Sequence, residues 1–362
     1  MFSKVRFLKS LAAMASLFSA MSLHAAPQRP FYQATRALTM GDAYTAVGTD
    51  FEAVYYNPAG IARRTKPRMK FLDIEGNISQ GFVSLFDGSL TKLLSIQKIL
   101  ADTKKSAGKP YGIGMALTPQ FLVRNFSFGV IVRSQNEATY KSGDALTNLY
   151  SAADLGAYMH YGIALGGGIF KLGVGGKILN RAELDRDYTD AEIAGGGLSF
   201  TEQWKEGLGI GFDVGALLTL PVASLPTFGV TVHDVGNTLF QDKRIIFTSD
   251  TAPAGAPDKL EQKISAGYSM ILKQGRGVRT VLAVDYKDIT GAGTIHGGFE
   301  FNYGNMLYLR GGVNQGSYWT AGLGVHLGGM GLEFGTYGEN VAPAGGARIN
   351  DRKYTGRYVL SF

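Results

Sequence analysis

The sequence predicts an all-β fold, a transmembrane antiparallel β-barrel of about 14 strands with an N-terminal hatch inside the lumen. Three observations lead to this prediction. The N-terminus has the layout of an export signal, glycine supplies 50 of 362 residues, and many later segments alternate apolar with polar side chains. No later stretch is an apolar run of roughly 20 residues. A closed barrel, which pairs every backbone polar group, is then the expected way to cross a membrane.

Residues 1–26 have the layout of a cleavable secretory signal. Three cations precede an uncharged apolar run over 11–23, and small residues follow at Ala25 and Ala26. This run is shorter than a membrane-spanning helix requires. We therefore expect cleavage after Ala25 or Ala26, with a retained N-terminal helix or anchor as the alternative.

Composition excludes several classes of function. The chain has no cysteine, which rules out disulfides and thiol chemistry. The formal net charge of +7 includes three cations in residues 1–26, where no acidic residue occurs, and this leaves +4 for the remainder. So small a charge does not indicate a nucleic-acid partner. Abundant Tyr and Phe instead suit a chain in contact with outer-membrane lipid.

Alternation of apolar and polar residues marks about 14 segments that have the length of transmembrane strands. In the final segment, Tyr358, Leu360 and Phe362 fall on one face, and Arg357 falls on the other. Its aromatic end resembles the signal recognised by the outer-membrane barrel assembly machinery. A large soluble β-sandwich or a secreted β-rich enzyme is the alternative, but glycine within strands weakens soluble sheets. The segments lie near 68–80, 111–121, 126–140, 152–165, 169–181, 207–220, 227–239, 260–273, 278–290, 294–303, 306–315, 318–327, 330–339 and 353–362.

Short connections alternate with longer ones between these segments. Gly and Asn at 166–168 and 304–305 provide the left-handed backbone that tight hairpins need. The connections over 81–110 and 182–206 are long. Outer-membrane barrels place short turns in the periplasm and long loops outside. An even strand number therefore predicts that both termini are periplasmic.

The predicted register turns more cations than anions toward the lumen, although a one-residue slip would reverse the assignment. Two interpretations remain open. The charges attract anionic solutes, or they form ion pairs with one another and with Asp42, Asp50 and Glu52 near the N-terminus. The main candidates are Arg133, Lys171, Arg279, Arg310, Glu300 and Glu333.

The connection over 81–110 contains an apolar stretch that continues into a predicted helix from Ser89 to about Lys104. Ser89 is a suitable N-cap. An apolar helix on an outer loop could form a landing groove for a hydrophobic substrate, or it could pack on the barrel rim. The candidate substrate-loop residues are Phe82, Phe86, Leu90, Leu93 and Leu94.

Residues 27–66 do not alternate and are rich in small side chains, which allows them to pack inside the mouth of a barrel. They contain the motif Asn57-Pro58-Ala59-Gly60, where proline marks a turn. We interpret this segment as a hatch that fills part of the lumen. The predicted domains are then a signal peptide over 1–26, a hatch over 27–66 and an outer-membrane barrel over 67–362.

The segment from Arg36 to Ala62 resembles the N-terminus of FadL-type outer-membrane barrels and, equally, of their PorV-like relatives. In both, an Asn-Pro-Ala segment like Asn57-Pro58-Ala59 precedes the first strand of a 14-stranded barrel. The FadL resemblance implies uptake of hydrophobic or amphipathic small molecules such as long-chain fatty acids. The PorV-like resemblance implies a barrel that serves a secretion or surface-attachment complex. Both implied functions place the chain in the outer membrane of a Gram-negative-type bacterium.

No catalytic, cofactor or metal motif occurs in the sequence. Gly-x-Ser-x-Gly and His-Glu-x-x-His are both missing. His160, His233, His296 and His326 fall on four different predicted strands. The sequence therefore predicts that the protein is not an enzyme and has no cofactor.

Overall fold

The structure, a computed structural model, describes most of the chain after residue 30. The predicted signal over 1–26 lies outside the described residues, and so does the predicted loop helix over 89–104 except for Thr103. Among the described residues, no helix is long and apolar enough to cross a membrane. The described residues are 31–48, 50–63, 67–85, 103, 109–141, 146–195, 203–243, 245–246, 255–275, 277–291, 293–341 and 348–362.

The described residues contain sixteen strand segments that belong to one antiparallel sheet. They are β1 Arg68–Ser79, β2 Tyr111–Leu117, β3 Gln120–Val123, β4 Phe126–Lys141, β5 Leu146–Leu165, β6 Phe170–Thr189, β7 Lys205–Thr219, β8 Thr227–His233, β9 Phe240–Asp242, β10 Lys263–Gly275, β11 Val278–Lys287, β12 Thr294–Tyr303, β13 Leu307–Asn314, β14 Tyr318–Leu327, β15 Met330–Asn340 and β16 Asn350–Ser361.

The sheet closes on itself because β1 pairs with β16, where Glu75 lies opposite Arg357. β2 and β3 both pair with β1 and with β4, so they form one interrupted barrel strand. β9 is a short segment that pairs with one end of β7. The ring therefore has 14 strands, and the predicted all-β antiparallel barrel is confirmed.

Two predicted strands are shorter or less regular than the alternation suggests. The segment over 111–121 is interrupted before Gln120 by Pro119, which has no N–H to donate to a neighbouring strand. The segment over 227–239 ends at His233. Asp234 follows with a φ of 53°, which does not continue a strand.

Two other strands are longer than predicted, since β5 and β6 each have 20 residues. The sequence predicts a loop over 182–206, which includes the end of β6. β6 instead runs to Thr189, which caps the short helix Asp190–Ala194. The Glu192 N–H donates to the Thr189 hydroxyl at 3.3 Å, and the Thr189 N–H donates to the Glu192 carboxylate at 2.8 Å. This reciprocal arrangement is a capping box.

The two faces of the sheet differ as the alternation predicts. On β7, Ile210 and Phe212 are 58% and 57% exposed on the outer face, whereas Asp213 between Phe212 and Val214 is 5% exposed on the inner face. The outer face carries an apolar band, and the inner face carries most of the buried charges.

The two ends of the barrel also differ. One end has the turns at 124–125, 304–306 and 328–329 and the strand ends next to both chain termini. We call it the short-turn end. The opposite end, the long-loop end, has the connections after β1 and between β8 and β10. Asn125 and Asn305 have φ of 63° and 57° in the tight turns, a conformation that asparagine tolerates.

Helices are few and short in the described part of the chain. They are α1 Thr35–Thr39, α2 Ala53–Tyr56, α3 Gln80–Leu85, α4 Asp190–Ala194 and the 3-10 turns Pro58–Arg63 and Gly166–Gly168.

Candidate functional site

Residues 31–48 and 50–63, which we call the inner segment, contact the barrel wall on several sides. The Thr35 N–H donates to the Glu75 carboxylate of β1 at 2.9 Å. The Tyr44 N–H donates to the Asp285 carboxylate of β11 at 2.7 Å. Most side chains of the inner segment are buried. The segment therefore occupies part of the lumen between opposite walls.

Within the inner segment, Asn57 anchors the Asn57-Pro58-Ala59-Gly60 motif and is fully buried. Its Nδ2 donates to the Thr45 carbonyl at 3.1 Å and to the Ala216 carbonyl of β7 at 3.2 Å. Its Oδ1 accepts the Ala59 N–H at 3.0 Å. One side chain thus joins two parts of the inner segment to the wall, and Pro58 begins the 3-10 turn that follows.

Glycines in the wall allow the inner segment to approach closely. A Cβ at Gly173 of β6 would overlap the backbone of Pro58 and Ala59, and a Cβ at Gly298 of β12 would overlap the Met40 carbonyl. Glycine is the residue that permits such an approach between two backbones. The high glycine content seen in the sequence therefore has a structural cause at these contacts.

Glu300 is fully buried in an ion-pair cluster that includes Arg36 and Arg310. Its carboxylate accepts hydrogen bonds from Arg36 Nε and Nη2 of the inner segment at 2.7 and 2.6 Å. Arg310 Nε of β13 donates to it at 2.8 Å, and Arg310 Nη1 also donates to Glu333 at 3.0 Å. Three of the predicted lumen residues thus join the inner segment to β12, β13 and β15.

Two further ion pairs attach the inner segment to the wall through acids that the sequence indicated. Asp42 accepts a hydrogen bond from Lys287 Nζ of β11 at 2.6 Å. Burial favours the neutral acid, but Lys287, His296 and the hydrogen bond from Gln33 together leave the pKa of the Asp42 carboxyl below its ordinary value. Glu52 pairs with Arg357 of β16, which also holds Asp73 of β1 at 2.6 Å.

The other predicted lumen cations lie on the inner face as well. Arg133 is buried, with Nη1 at 3.7 Å from Asp154. Lys171 is buried near the short-turn end and donates to the Thr219 hydroxyl at 3.3 Å. The Arg279 side chain is 35% exposed. These residues take part in the network of the lumen wall.

A cavity of about 280 Å³ lies between the inner segment and the wall of β5, β6, β7 and β8. Phe31, Tyr55 and Tyr158 line it with aromatic rings, and the Tyr55 hydroxyl donates to the Tyr158 hydroxyl at 2.5 Å. His160 and Lys263 also line it. We call this space the aromatic cavity. A smaller cavity of about 80 Å³ lies among mainly polar side chains of β1, β4 and β16.

No pattern in the sequence indicates the aromatic cavity, because its walls come from separate parts of the chain. Phe31 and Tyr55 belong to the inner segment, whereas Tyr158 belongs to β5 and Lys263 opens β10. The alternation of β5 places Tyr158 on the inner face, and that is the only local signal. The pairing of Tyr55 with Tyr158 depends on how the inner segment is seated.

The candidate substrate-loop residues are only partly within the described chain. Phe82 lies in α3 at the long-loop end and is buried. It thus precedes the predicted helix and is covered by its surroundings rather than displayed on an open loop. Phe86, Leu90, Leu93 and Leu94 lie outside the described residues.

The C-terminal residues face outward at the short-turn end. Tyr358 and Leu360 are half-buried on the outer face, and the Phe362 side chain is exposed. The Phe362 N–H donates to the Met69 carbonyl at 2.8 Å. The end of β16 is thereby joined to the start of β1. Its recognition by the assembly machinery stays a prediction.

The four histidines of the barrel do not come together. His160 and His233 lie near the aromatic cavity, whereas His296 and His326 lie on β12 and β14. No group of three or more potential metal ligands occurs among the described residues.

Comparison with solved structures finds barrels of the same architecture. The chain matches the CymD monoaromatic hydrocarbon channel at 11% identity and a TM-score of 0.55, covering 95% of this chain and 99% of CymD. It matches the Pseudomonas putida toluene transporter TodX at 10% identity and a TM-score of 0.51, covering 91% and 97%. It matches the Ralstonia pickettii toluene transporter TbuX at 10% identity and a TM-score of 0.51, covering 92% of this chain and 98% of TbuX.

These identities are low, so the likeness is one of fold, and it extends over nearly the whole of each chain. The chain shares the barrel fold of these channels, and this is the fold that the resemblance of the N-terminal motif implies. No protein-family model matches the sequence. No curated protein matches it either.

Proposed function

We propose that the protein is an outer-membrane channel, rather than an enzyme, that takes up hydrophobic or amphipathic small molecules. The observation that carries the proposal is the aromatic cavity, which lies directly against the inner segment in a barrel whose fold is shared with hydrocarbon channels. In this proposal both termini are periplasmic, and the long-loop end faces the cell exterior. The outer apolar band contacts lipid.

The size of the aromatic cavity favours compact ligands. An apolar cavity of roughly 150 Å³ is large enough to bind benzene, and the aromatic cavity has about 280 Å³. A single-ring hydrocarbon fits this space next to Tyr55 and Tyr158. A long-chain fatty acid remains a candidate, but its tail would require additional space that a shift of the inner segment could open.

The inner segment acts as the hatch in this proposal. Arg36, Asp42 and Glu52 hold it to the wall through ion pairs, so passage requires some of these contacts to break. Such contacts have a second consequence. They fill the lumen with paired charges, which leaves less space for a solute to pass. This observation favours the other candidate function, a PorV-like barrel whose loops hold a secretion or surface-attachment complex.

Uptake of radiolabelled toluene by Gram-negative cells tests the channel proposal. Cells that produce the protein should accumulate toluene faster than cells with an empty vector. A reversible lock provides the structural control. Thr35 Oγ1 of the inner segment and Thr355 Oγ1 of β16 are 2.8 Å apart, so Thr35→Cys with Thr355→Cys should form a disulfide in this cysteine-free chain.

Oxidised cells with both cysteines should lose most of the added uptake, and a reductant should restore it, whereas Thr35→Cys alone should be unaffected. Deleting 86–104 should also slow uptake if the apolar loop collects the substrate. Uptake equal to the vector control, with a correctly folded barrel in the membrane, would remove the channel proposal. Co-purification of a secreted protein with such a barrel would then support the scaffold.

A further inference from the structure

We infer that the aromatic cavity binds a single-ring aromatic carboxylate, with its ring against Phe31, Tyr55 and Tyr158 and its carboxylate on Lys263. This inference rests on the proposed function, because it names the class of molecule that the channel would carry. A pure hydrocarbon would contact the aromatic rings but would leave Lys263 without a partner.

The aromatic wall is pre-formed by residues of two different elements. The rings of Tyr55 and Tyr158 have centroids 5.2 Å apart in an edge-to-face arrangement. Tyr32 also packs on Tyr55, with centroids 4.3 Å apart and ring planes at 51°. Such closely packed, tilted rings form a rigid wall, and another aromatic ring gains contact area on it with little loss of conformational freedom.

The acidic groups around the cavity already have partners. Lys177 Nζ lies 3.0 Å from Asp213 and 2.8 Å from Asp234. Arg181 Nε donates to Asp154 at 2.7 Å. The cavity therefore has no unpaired carboxylate among these residues to attract an amine.

A further acid on the cavity wall is also engaged. Glu183 accepts the backbone N–H of Asp258 at 3.1 Å. At the rim, Lys259 pairs with Glu261 at 3.5 Å, with side chains 49% and 71% exposed. Water screens this rim pair, so it adds little to binding inside the cavity.

Lys263 differs from these groups. It is half-buried at the first position of β10, directly opposite His233 of β8, and it lines the cavity. No hydrogen bond or ion pair joins its ammonium to another group in the part of the chain that the structure describes. Asp288, Asp234 and Glu261 attract it electrostatically, but none of them forms an ion pair with it. A half-buried cation without a partner is unfavourable, and a ligand carboxylate would provide that partner.

His160 offers a second polar group. It is buried on β5 next to Tyr158, with ring centroids 5.7 Å apart. Its Nδ1 is buried and has no hydrogen-bond partner within the described residues. His160 itself lines the cavity, so its imidazole is a polar group beside the aromatic rings that a hydrocarbon would leave without a partner. Lys263 and His160 together favour an acid over a hydrocarbon and over an amine.

Calorimetric titration of the purified full-length barrel in detergent tests this assignment. The probes are benzoate, toluene, benzylamine and octanoate. Benzoate should bind the wild type more tightly than benzylamine and octanoate do. Lys263→Met should weaken benzoate binding by about tenfold or more, as expected for a lost charge-assisted hydrogen bond, and should change toluene binding by less than about threefold. Lys263→Arg should retain most of the affinity for benzoate.

Lys259→Met is the matched control, because it removes a rim lysine that already has a partner. It should leave benzoate binding unchanged. Toluene binding without benzoate binding would overturn the carboxylate assignment and leave the channel proposal standing. The carboxylate assignment would also be overturned if Lys263→Met left the affinity for benzoate unchanged, or if octanoate bound as tightly as benzoate. If no probe binds a folded barrel, the inference and the proposed function fail together.

Discussion

Replacing Glu300 by glutamine should loosen the inner segment. The carboxylate accepts two hydrogen bonds from Arg36 and one from Arg310, all between 2.6 and 2.8 Å, in a fully buried position. A neutral amide would leave both guanidinium groups without their shared anion. Removing one partner of a buried ion pair costs about 3–5 kcal/mol.

Of the two lost ion pairs, only the one with Arg36 holds the inner segment to the wall. Arg36 also keeps a second partner, Asp50. The lower end of the range, about 3 kcal/mol, is therefore the expected destabilisation. Since about 1.4 kcal/mol corresponds to a factor of ten, the population with a displaced inner segment should rise roughly 100-fold.

Thiol labelling measures this population, because the chain has no cysteine of its own. Ala43 is fully buried in the inner segment, so Ala43→Cys should react with a maleimide only when the segment moves. Adding Glu300→Gln should accelerate labelling by roughly the same 100-fold.

Glu192→Gln is the matched control for the Glu300 experiment. Its pair with Arg186 has a similar distance of 2.9 Å, but the two side chains are 40% and 39% exposed. An exposed pair contributes about 0–1 kcal/mol, so labelling at position 43 should not change. A Glu300→Gln rate within about threefold of the parent would show that the Arg36 contacts do not hold the segment in place.

Two further predictions concern the same labelling rate. Gly298→Ala should force Met40 away from β12 and accelerate labelling. Gly176→Ala should not, because the nearest atom to its added Cβ would belong to Phe212, at 3.8 Å. Equal labelling rates in the two variants would show that close approach at Gly298 does not seat the inner segment. The lowered pKa of Asp42 means that the Asp42–Lys287 pair stabilises the seated segment above the ordinary aspartate pKa of about 4. This stability is lost as the pH falls through the lowered pKa. Relative to free cysteine at the same pH, which corrects for the falling thiolate fraction, labelling should therefore accelerate below about pH 4 in the parent and not in Asp42→Asn.

The strands could be predicted from sequence because their signal is local. Ile210, Phe212 and Asp213 reveal their faces by alternation alone, since successive side chains of a strand point to opposite sides. The same rule placed Glu300, Arg310 and Glu333 on the inner face. Errors occurred where backbone conformation interrupts the pattern, as after His233, because alternation does not report the φ of Asp234.

The N-terminal motif had a different kind of signal. Its small residues indicated close packing, and Asn57-Pro58 indicated a turn, but neither could name the wall that receives them. The glycines at 173 and 298 that make this packing possible lie more than 100 residues away along the chain.

The sequence alone therefore determined the fold class, the number of strands and the identity of the inner face, all of which follow from spacing along a single strand. Only the tertiary structure decided which charges are paired and where space remains. Glu300 meets Arg36 across 264 positions, and Tyr55 meets Tyr158 across 103. Such contacts depend on how the inner segment is seated in the closed ring, and no local pattern records that geometry. In the sequence, Lys263 looks like any other lumen lysine, and only the structure shows that no acid among the described residues pairs with it.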